Sequence, residues 1–215
     1  MTSPPHLTLR GAALSNWCDA VQRATACRFA TASGEPLAVR HHREEHLAMS
    51  TPTTQRDDIK SRLPDPTDQF PELVKLSAAV LNATRNGSVP QSTLGLVRLR
   101  AGQIVGSTYH ALRATENLRK AGESEERIIA VATWQDAPYF ADAERVALEL
   151  VEAVLTPNPF GERVSDELFA RAAAHYDDQA LWTLTMAIGH FCLFVPVALI
   201  GKPIPGRPPG KNYSK

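Results

Sequence analysis

Ser107 and His110 are the two side chains whose types and spacing could do acid–base chemistry together. Three residues apart on a helix, a hydroxyl and an imidazole share a face, with β-carbons about 5–6 Å apart. A serine nucleophile needs its base within hydrogen-bond reach and the base oriented by a third group, usually a carboxylate. The spacing permits contact without aligning it, and no Gly-x-Ser-x-Gly elbow is present. The plainer assignment makes Ser107 a helix cap after Gly106 and His110 a polar pocket or interface residue. His175, beside Tyr176 and Asp177, falls near a helix C-terminus, where a cation or turn is favoured. His190 lies on an apolar helix and reads as a hydrogen-bonded core or interface histidine. His41, His42 and His46 are close in sequence but make weak metal ligands without a folded context. Cys18, Cys27 and Cys192 have neither metal-ligand spacing nor an even-numbered disulfide framework. Cys192, between Phe191 and Leu193, reads as a buried small hydrophobe. No metal and no cofactor are expected.

The elements that must position Ser107 and His110 follow from apolar periodicity. Asp57 to Leu63 predicts a short helical piece, stopped by Pro64-Asp65-Pro66. Phe70, Leu73, Val74, Leu76, Ala79, Val80 and Leu81 recur at helical spacing, and Asn86-Gly87 ends that helix. Pro90 starts the next, where a missing N–H does no harm. Leu94, Val97, Leu99, Ala101 and Ile104 give it an apolar face. Gly106 allows a break, and Tyr109, Leu112, Ala114 and Leu118 carry another helix towards Gly122. Ser124 before Glu125 and Glu126, Asp142, Ser165 before Asp166 and Glu167, and Asp177-Asp178 are further helix starts. Trp134 and Trp182 are expected as core anchors. No run alternates with period two, so the expected fold is all-α, with about six or seven helices.

A chain of 215 residues with 43% apolar composition can bury one medium domain, or one domain plus an appendage. A formal net charge of zero, with no Lys/Arg stripe interleaved with aromatics, argues against nucleic acid or an anionic membrane as main partner. Cysteine usage makes a reducing cytoplasm the default compartment. The most apolar run, Phe191 to Ile200, is about half the twenty residues a membrane-spanning helix needs. Flanked by His190 and interrupted by Pro196, it is expected as a core helix or an oligomer contact. The first 48 residues carry Pro4-Pro5, scattered Arg and His, and no sustained period, without the layout of a signal peptide. Met49 precedes an ordinary polar start, Ser-Thr-Pro-Thr-Thr, and the purine-rich codons of Arg43-Glu44-Glu45 could spell a ribosome-binding sequence. Translation from Met49 is therefore one expectation. The organisation expected is a non-globular leader over 1–53, a helical domain over 54–205, and a flexible Pro/Gly/Lys tail over 206–215.

Three stretches go further than "helical domain": Leu96-Val-Arg-Leu-Arg-Ala-Gly-Gln-Ile-Val-Gly106, Leu118-Arg-Lys-Ala-Gly-Glu123 onward to Ile128, and Trp134-Gln-Asp-Ala-Pro138 onward to Leu148. In register and with the right gaps, they resemble the carboxymuconolactone decarboxylase family in its alkylhydroperoxidase-D-like branch. That branch carries Leu-Val-Arg-Leu-Arg-Ala-x-Gln-Ile-Asn-Gly, then Cys-x-x-Cys-x-x-x-His, then Arg-Lys-Ala-Gly-Glu and a Trp-x-x-x-Pro turn. The resemblance covers most of Leu94 to Glu152 and weakens towards Ile200; the first 48 residues have no counterpart.

The resemblance implies an AhpD-like helical fold and an ancestral peroxidase chemistry. A thiolate cleaves peroxide to give a sulfenic acid, and a second thiol one turn away closes a disulfide. In this register the two cysteine positions fall on Ser107 and His110, the motif histidine on Ala114, and the upstream relay glutamate on Gly95. A hydroxyl cannot become a sulfenic acid and an imidazole cannot resolve one, so that thiol reaction is expected to be absent. The decarboxylase branch keeps a histidine where this chain has Ala114, so lactone decarboxylation by the same residues is also unsupported. A polar pattern late in the family's last helix is replaced by Phe191 to Pro196. The expectation is a non-thiol or inactive member binding a small apolar ligand or a partner; the alternative is a residual peroxidase or decarboxylase built around Ser107 and His110. Relatives assemble as trimers or hexamers, so a homo-oligomer is expected, with Phe191–Ile200 as a contact.

Overall fold

The computed structural model describes residues 59–214. The chain divides into Met1–Thr53 and Thr54–Lys215, and everything below concerns the second unit. The expected leader, the start at Met49, Cys18, Cys27, His41, His42 and His46 all lie outside the described residues.

Among the described residues there are eight α-helices and no strand: α1 Pro66–Gln69, α2 Glu72–Ala83, α3 Gln91–Ile104, α4 Thr108–Lys120, α5 Glu125–Ala130, α6 Asp142–Leu155, α7 Asp166–Ala173 and α8 Asp178–Gly201. A 3-10 turn, Val131–Thr133, follows α5. The expected all-α fold is what forms. The caps follow from the chain: the hydroxyls of Ser124 and Ser165 accept from the N–H groups of Arg127 and Leu168, and the Asp177 carboxylate accepts from Ala180. Helix α6 starts one residue earlier than Asp142 as cap would have it, because Ala141 holds that place and Glu144 reaches back to its N–H.

Helix α3 is the centre, packed against α4, α6 and α8. It buries two faces. Leu94, Val97 and Ala101 join Ala147, Val151, Leu168, Leu184, Ile188 and Phe191 in one core. Leu96 and Leu99 join Ala114, Leu118, Ile128, Val131, Trp134, Phe140 and Leu148 in the other. Each wholly enclosed aliphatic side chain contributes about 1.5–3 kcal/mol.

Four further expectations are corrected. No helix forms over residues 59–63 of the expected Asp57–Leu63 piece. That segment instead exchanges two hydrogen bonds with Ser214, and the N–H groups of Arg62 and Leu63 both donate to the Gly201 carbonyl. Pro196 does not interrupt the last helix; α8 runs through it for 24 residues. By length and composition α8 could cross a membrane, with mean hydropathy 2.0 over an 18-residue window of which 33% is buried. Trp182 is no core anchor: it is 68% exposed, because it falls on the face of α8 turned away from α3. The segment from 206 to 214, expected as a flexible tail, is tied back by Ile204 N–H to the Asn212 carbonyl at 2.6 Å and by Asn212 Nδ2 to the Tyr109 hydroxyl at 3.0 Å.

Candidate functional site

The corner between α3 and α4 is made by two residues. Gly106 takes φ +65°, the left-handed conformation glycine adopts without penalty, and Ser107 N–H donates back to the Gly102 carbonyl at 2.9 Å. Ser107 is at once the end of the α3 turn and the residue capping α4. Its hydroxyl, however, does not cap the helix. It bonds His110 Nδ1 at 2.9 Å while only 5% of the residue is exposed.

The approach of α3 to α4 fixes this pair. A β-carbon on Gly102 would meet the Ala111 nitrogen at 2.9 Å and the His110 carbonyl carbon at 3.2 Å, so His110 is set by backbone-to-backbone contact. The ring packs at a tilt on Phe191, centroids 4.7 Å apart, and edge-on to Tyr109 at 5.5 Å. Burial, then the charges of Arg113 and His190, push the His110 pKa down to about 4. At neutral pH the imidazole is uncharged and can accept the Ser107 proton. Among the described residues no carboxylate orients it, so the third member of a nucleophile–base–acid set is missing.

Further residues converge here from α2, α3 and α8. Ser77 on α2 bonds His190 Nε2 at 2.9 Å, and the His190 ring lies 5.1 Å from Phe194. His190 is held below its ordinary pKa by burial and by Arg98 and Arg113. Arg113 donates to the Tyr109 hydroxyl at 3.0 Å. The Cys192 thiol is half-buried against the first core and burial pushes its pKa up, so it is a packing residue rather than a thiolate.

The other two motif positions are occupied by packing. Ala114 is buried in the second core. A β-carbon on Gly95 would come within 2.6 Å of Leu118 Cδ2. Thus Ser107 and His110 are brought together, while Gly95 and Ala114 face a leucine-lined interior. Of the other histidines, His175 lies exposed just past the end of α7 and takes no part. Among the described residues no group of His, Cys, Asp or Glu could hold a metal ion. Arg98, Arg113 and the Ser77–His190 pair were not singled out from sequence; an arginine at helical spacing between Gly95 and Gly102 was the available signal.

The blocks that identify the chain are built into its frame. Glu152 accepts from Arg100 Nε at 2.6 Å and from Trp134 Nε1 at 2.7 Å, joining α3, the 3-10 turn and α6. Arg127 bridges Glu123 and Glu144 at 2.8 and 2.7 Å and lies 5.2 Å over the Phe140 ring.

Comparison with known proteins agrees with this architecture. The sequence profile of the carboxymuconolactone decarboxylase family matches residues 71–153. The chain is 32% identical over 119 residues to the uncharacterized protein YdfG of Bacillus subtilis (strain 168), covering 55% of this chain and 79% of YdfG. It is 47% identical over 66 residues to the uncharacterized protein YnjA of Escherichia coli (strain K12), a stretch spanning 31% of this chain and 35% of YnjA. A solved protein of unknown function from Agrobacterium tumefaciens, ATU0492, described as a putative antioxidant defence protein AhpD, superposes with a TM-score of 0.60 at 26% identity, over 66% of this chain and 96% of that one. The debrominase Bmp8, solved with 2,3,4-tribromopyrrole, shares the fold, with a TM-score of 0.56 at 14% identity over 63% and 72% of the two chains. The fold and the three sequence blocks define an AhpD-like helical protein. The chain belongs to the carboxymuconolactone decarboxylase family.

Proposed function

We propose that this chain is a family member without thiol peroxidase chemistry, and that the region of the former redox pair holds a small apolar ligand. The observation that carries the reading is the occupied interior: Gly95 lies against Leu118 and Ala114 is buried, where the resemblance puts a glutamate and a histidine. A proton relay has no room there, and Ser107 and His110 satisfy each other. Phe191, Tyr109 and Phe194 give the region its aromatic walls.

The alternative, a residual enzyme centred on Ser107 and His110, has one observation in its favour: a hydroxyl 2.9 Å from an uncharged imidazole. The experiment pairs two assays on the purified chain. tert-Butyl hydroperoxide with dithiothreitol should not be turned over above background, and benzamide should raise the melting temperature progressively, with the logarithm of its concentration once that exceeds the dissociation constant. Turnover abolished by His110→Ala would replace the binding reading with the enzymatic one.

The outer face of α8 completes the proposal. Trp182, Met186, Gly189, Leu193, Pro196 and Ile200 are all exposed, and their spacing of four, three, four, three and four is that of a helix–helix seam. No atom lies within 4 Å of a β-carbon placed on Gly189, leaving a close approach open. A second copy of the chain is the partner this fits. The opposite face of α8 is buried against its own core, which a lone membrane-spanning helix would not be. A cytoplasmic homo-oligomer without nucleic-acid or membrane partners is the corresponding setting.

A further inference from the structure

Two aromatic rings pack on His110, and they are held in different ways. Phe191 is 6% exposed and part of the first core. Tyr109 is half-buried and belongs to neither core. Its ring stands edge-on to the imidazole. Its place is set at the hydroxyl, which accepts from Arg113 on its own helix and from Asn212, each at 3.0 Å. A half-buried ring fastened at its tip by polar bonds can turn about χ1 without opening a cavity in either core.

Asn212 reaches the ring from beyond α8. There the backbone turns at Lys202, φ 49°, a left-handed conformation that a lysine takes only at a cost. Ile204 then sinks to 1% exposure outside both cores, and its N–H meets the Asn212 carbonyl. Residues 205–211 are thereby closed into a surface loop whose two ends touch. Past the loop, Ser214 and Ser61 exchange hydrogen bonds at 2.9 and 2.8 Å, so this strap is tied on both sides of Asn212.

The residue type at the point of contact decides what the strap does. A segment that only packed would bury an apolar side chain there, because a buried amide is costly unless both its ends are bonded. Asn212, 5% exposed, has both ends engaged: its Oδ1 accepts from Gly210 N–H and its Nδ2 donates to Tyr109, each at 3.0 Å. One side chain thus joins the loop's own turn to the ring beside His110. A neutral hydrogen bond is directional and of modest net strength, so it fixes a position while leaving it easy to release. We propose that Tyr109 is a gate over the Ser107–His110 pair and Asn212 its latch. With the bond made, the ring covers the imidazole; with it broken, Tyr109 swings out and admits a small molecule to His110. The gate goes beyond the ligand-binding reading, because opening is a property of the free chain.

Diethyl pyrocarbonate, which acylates unprotonated imidazole, reads opening on the full chain without a ligand, histidine by histidine in peptide mass spectra. A ring reached through a minor open state reacts in proportion to that state's population. At pH 7 His110 should react more slowly than the exposed His175. Asn212→Ala should speed His110 by about two- to tenfold, the worth of one neutral hydrogen bond. Tyr109→Phe removes the oxygen that both donors share and should speed His110 at least as much. Adding Asn212→Ala to Tyr109→Phe should then change nothing more, and His175 and His190 should keep their rates throughout. Should Asn212→Ala fail to fold, Tyr109→Phe against the parent decides alone. An unchanged His110 rate in Tyr109→Phe, or in folded Asn212→Ala, overturns the gate. So does an equal gain from Asn212→Ala with and without the tyrosine hydroxyl, or His190 rising in step with His110. His110 reacting as fast as His175 in the parent overturns it as well. Failure of benzamide to bind would sink the ligand-binding reading and leave each of these outcomes readable.

Discussion

Gly95→Ala is the smallest perturbation that tests whether the interior is closed where the relay glutamate would stand. The new methyl would lie 2.6 Å from Leu118 Cδ2 and 3.1 Å from Leu118 Cγ, so the leucine must retreat by about 1 Å to reach ordinary contact. Leu118 is 2% exposed, in a core with Leu96, Leu99, Ala114 and Ile128, which leaves it little room to move. Overpacking of this kind costs about 1–3 kcal/mol, and replacing glycine inside a helix returns about 1 kcal/mol. The net expectation is a loss of about 1 kcal/mol. Leu118→Ala alone should cost about 2–5 kcal/mol. Combined, the two changes should interact favourably, by about 1–2 kcal/mol, because the methyl at 95 then fills space the leucine has left. Urea unfolding of the four proteins gives the cycle directly, provided the slopes agree. Additivity to within about 0.5 kcal/mol would refute the reasoning, since it would mean that α3 and α4 leave space at residue 95 for a larger side chain.

Three further outcomes follow from the described contacts. His110 is held to about 4 in the folded chain, below its ordinary 6.5, chiefly by burial and then by Arg113 and His190. A histidine depressed on folding takes up a proton on unfolding, so stability is full above about pH 6.5 and falls as pH drops towards 4; the complete shift is worth about 3 kcal/mol, and a part-exposed ring should deliver half of that or less. Comparing unfolding free energies of the parent and His110→Gln across that window isolates the effect from that of His190 and the carboxylates. Glu152→Gln should cost about 2 kcal/mol in urea unfolding, because Arg100, Trp134 and Gln135 all donate to that carboxylate. Leu193→Glu should convert the sedimenting species to a lighter one at equal concentration, whereas an unchanged mass, or partition of the parent into phosphatidylcholine vesicles, would remove the second copy from the α8 face.

The frame was legible in the sequence because local signals and burial agree there. Gly106, Ser124, Ser165 and Asp177 mark helix ends by the conformations or side-chain oxygens those ends require. Ser107 and His110 were legible as a pair because helical spacing alone brings them within reach. What the sequence hid depends on tertiary contact. Trp182 reads as core by type, yet among the described residues nothing covers the face of α8 that carries it. Pro196 reads as an interruption, yet a proline removes a single helical donor, and the turns on either side of it hold. The 59–63 segment loses its expected helix to hydrogen bonds with Gly201 and Ser214, partners far along the chain.

The blocks that mark the family and the positions where the resemblance puts its chemistry occupy different parts of this molecule. Arg100, Trp134 and Glu152 form one clamp, and Glu123, Arg127, Phe140 and Glu144 form another; each joins elements separated in sequence and each loses several partners if one member changes. Residues 95, 107, 110 and 114 lie instead along the α3–α4 contact, where a change is tolerated if a neighbour conserves the volume or the hydrogen bond. Glycine at 95 stands against leucine at 118, and alanine at 114 lies inside the same core. Under the proposed reading, the clamps keep the chain recognisable while the contact between α3 and α4 is free to exchange a proton relay for packing. The polar pair that remains at that contact, Ser107 with His110, is then what a ligand would meet.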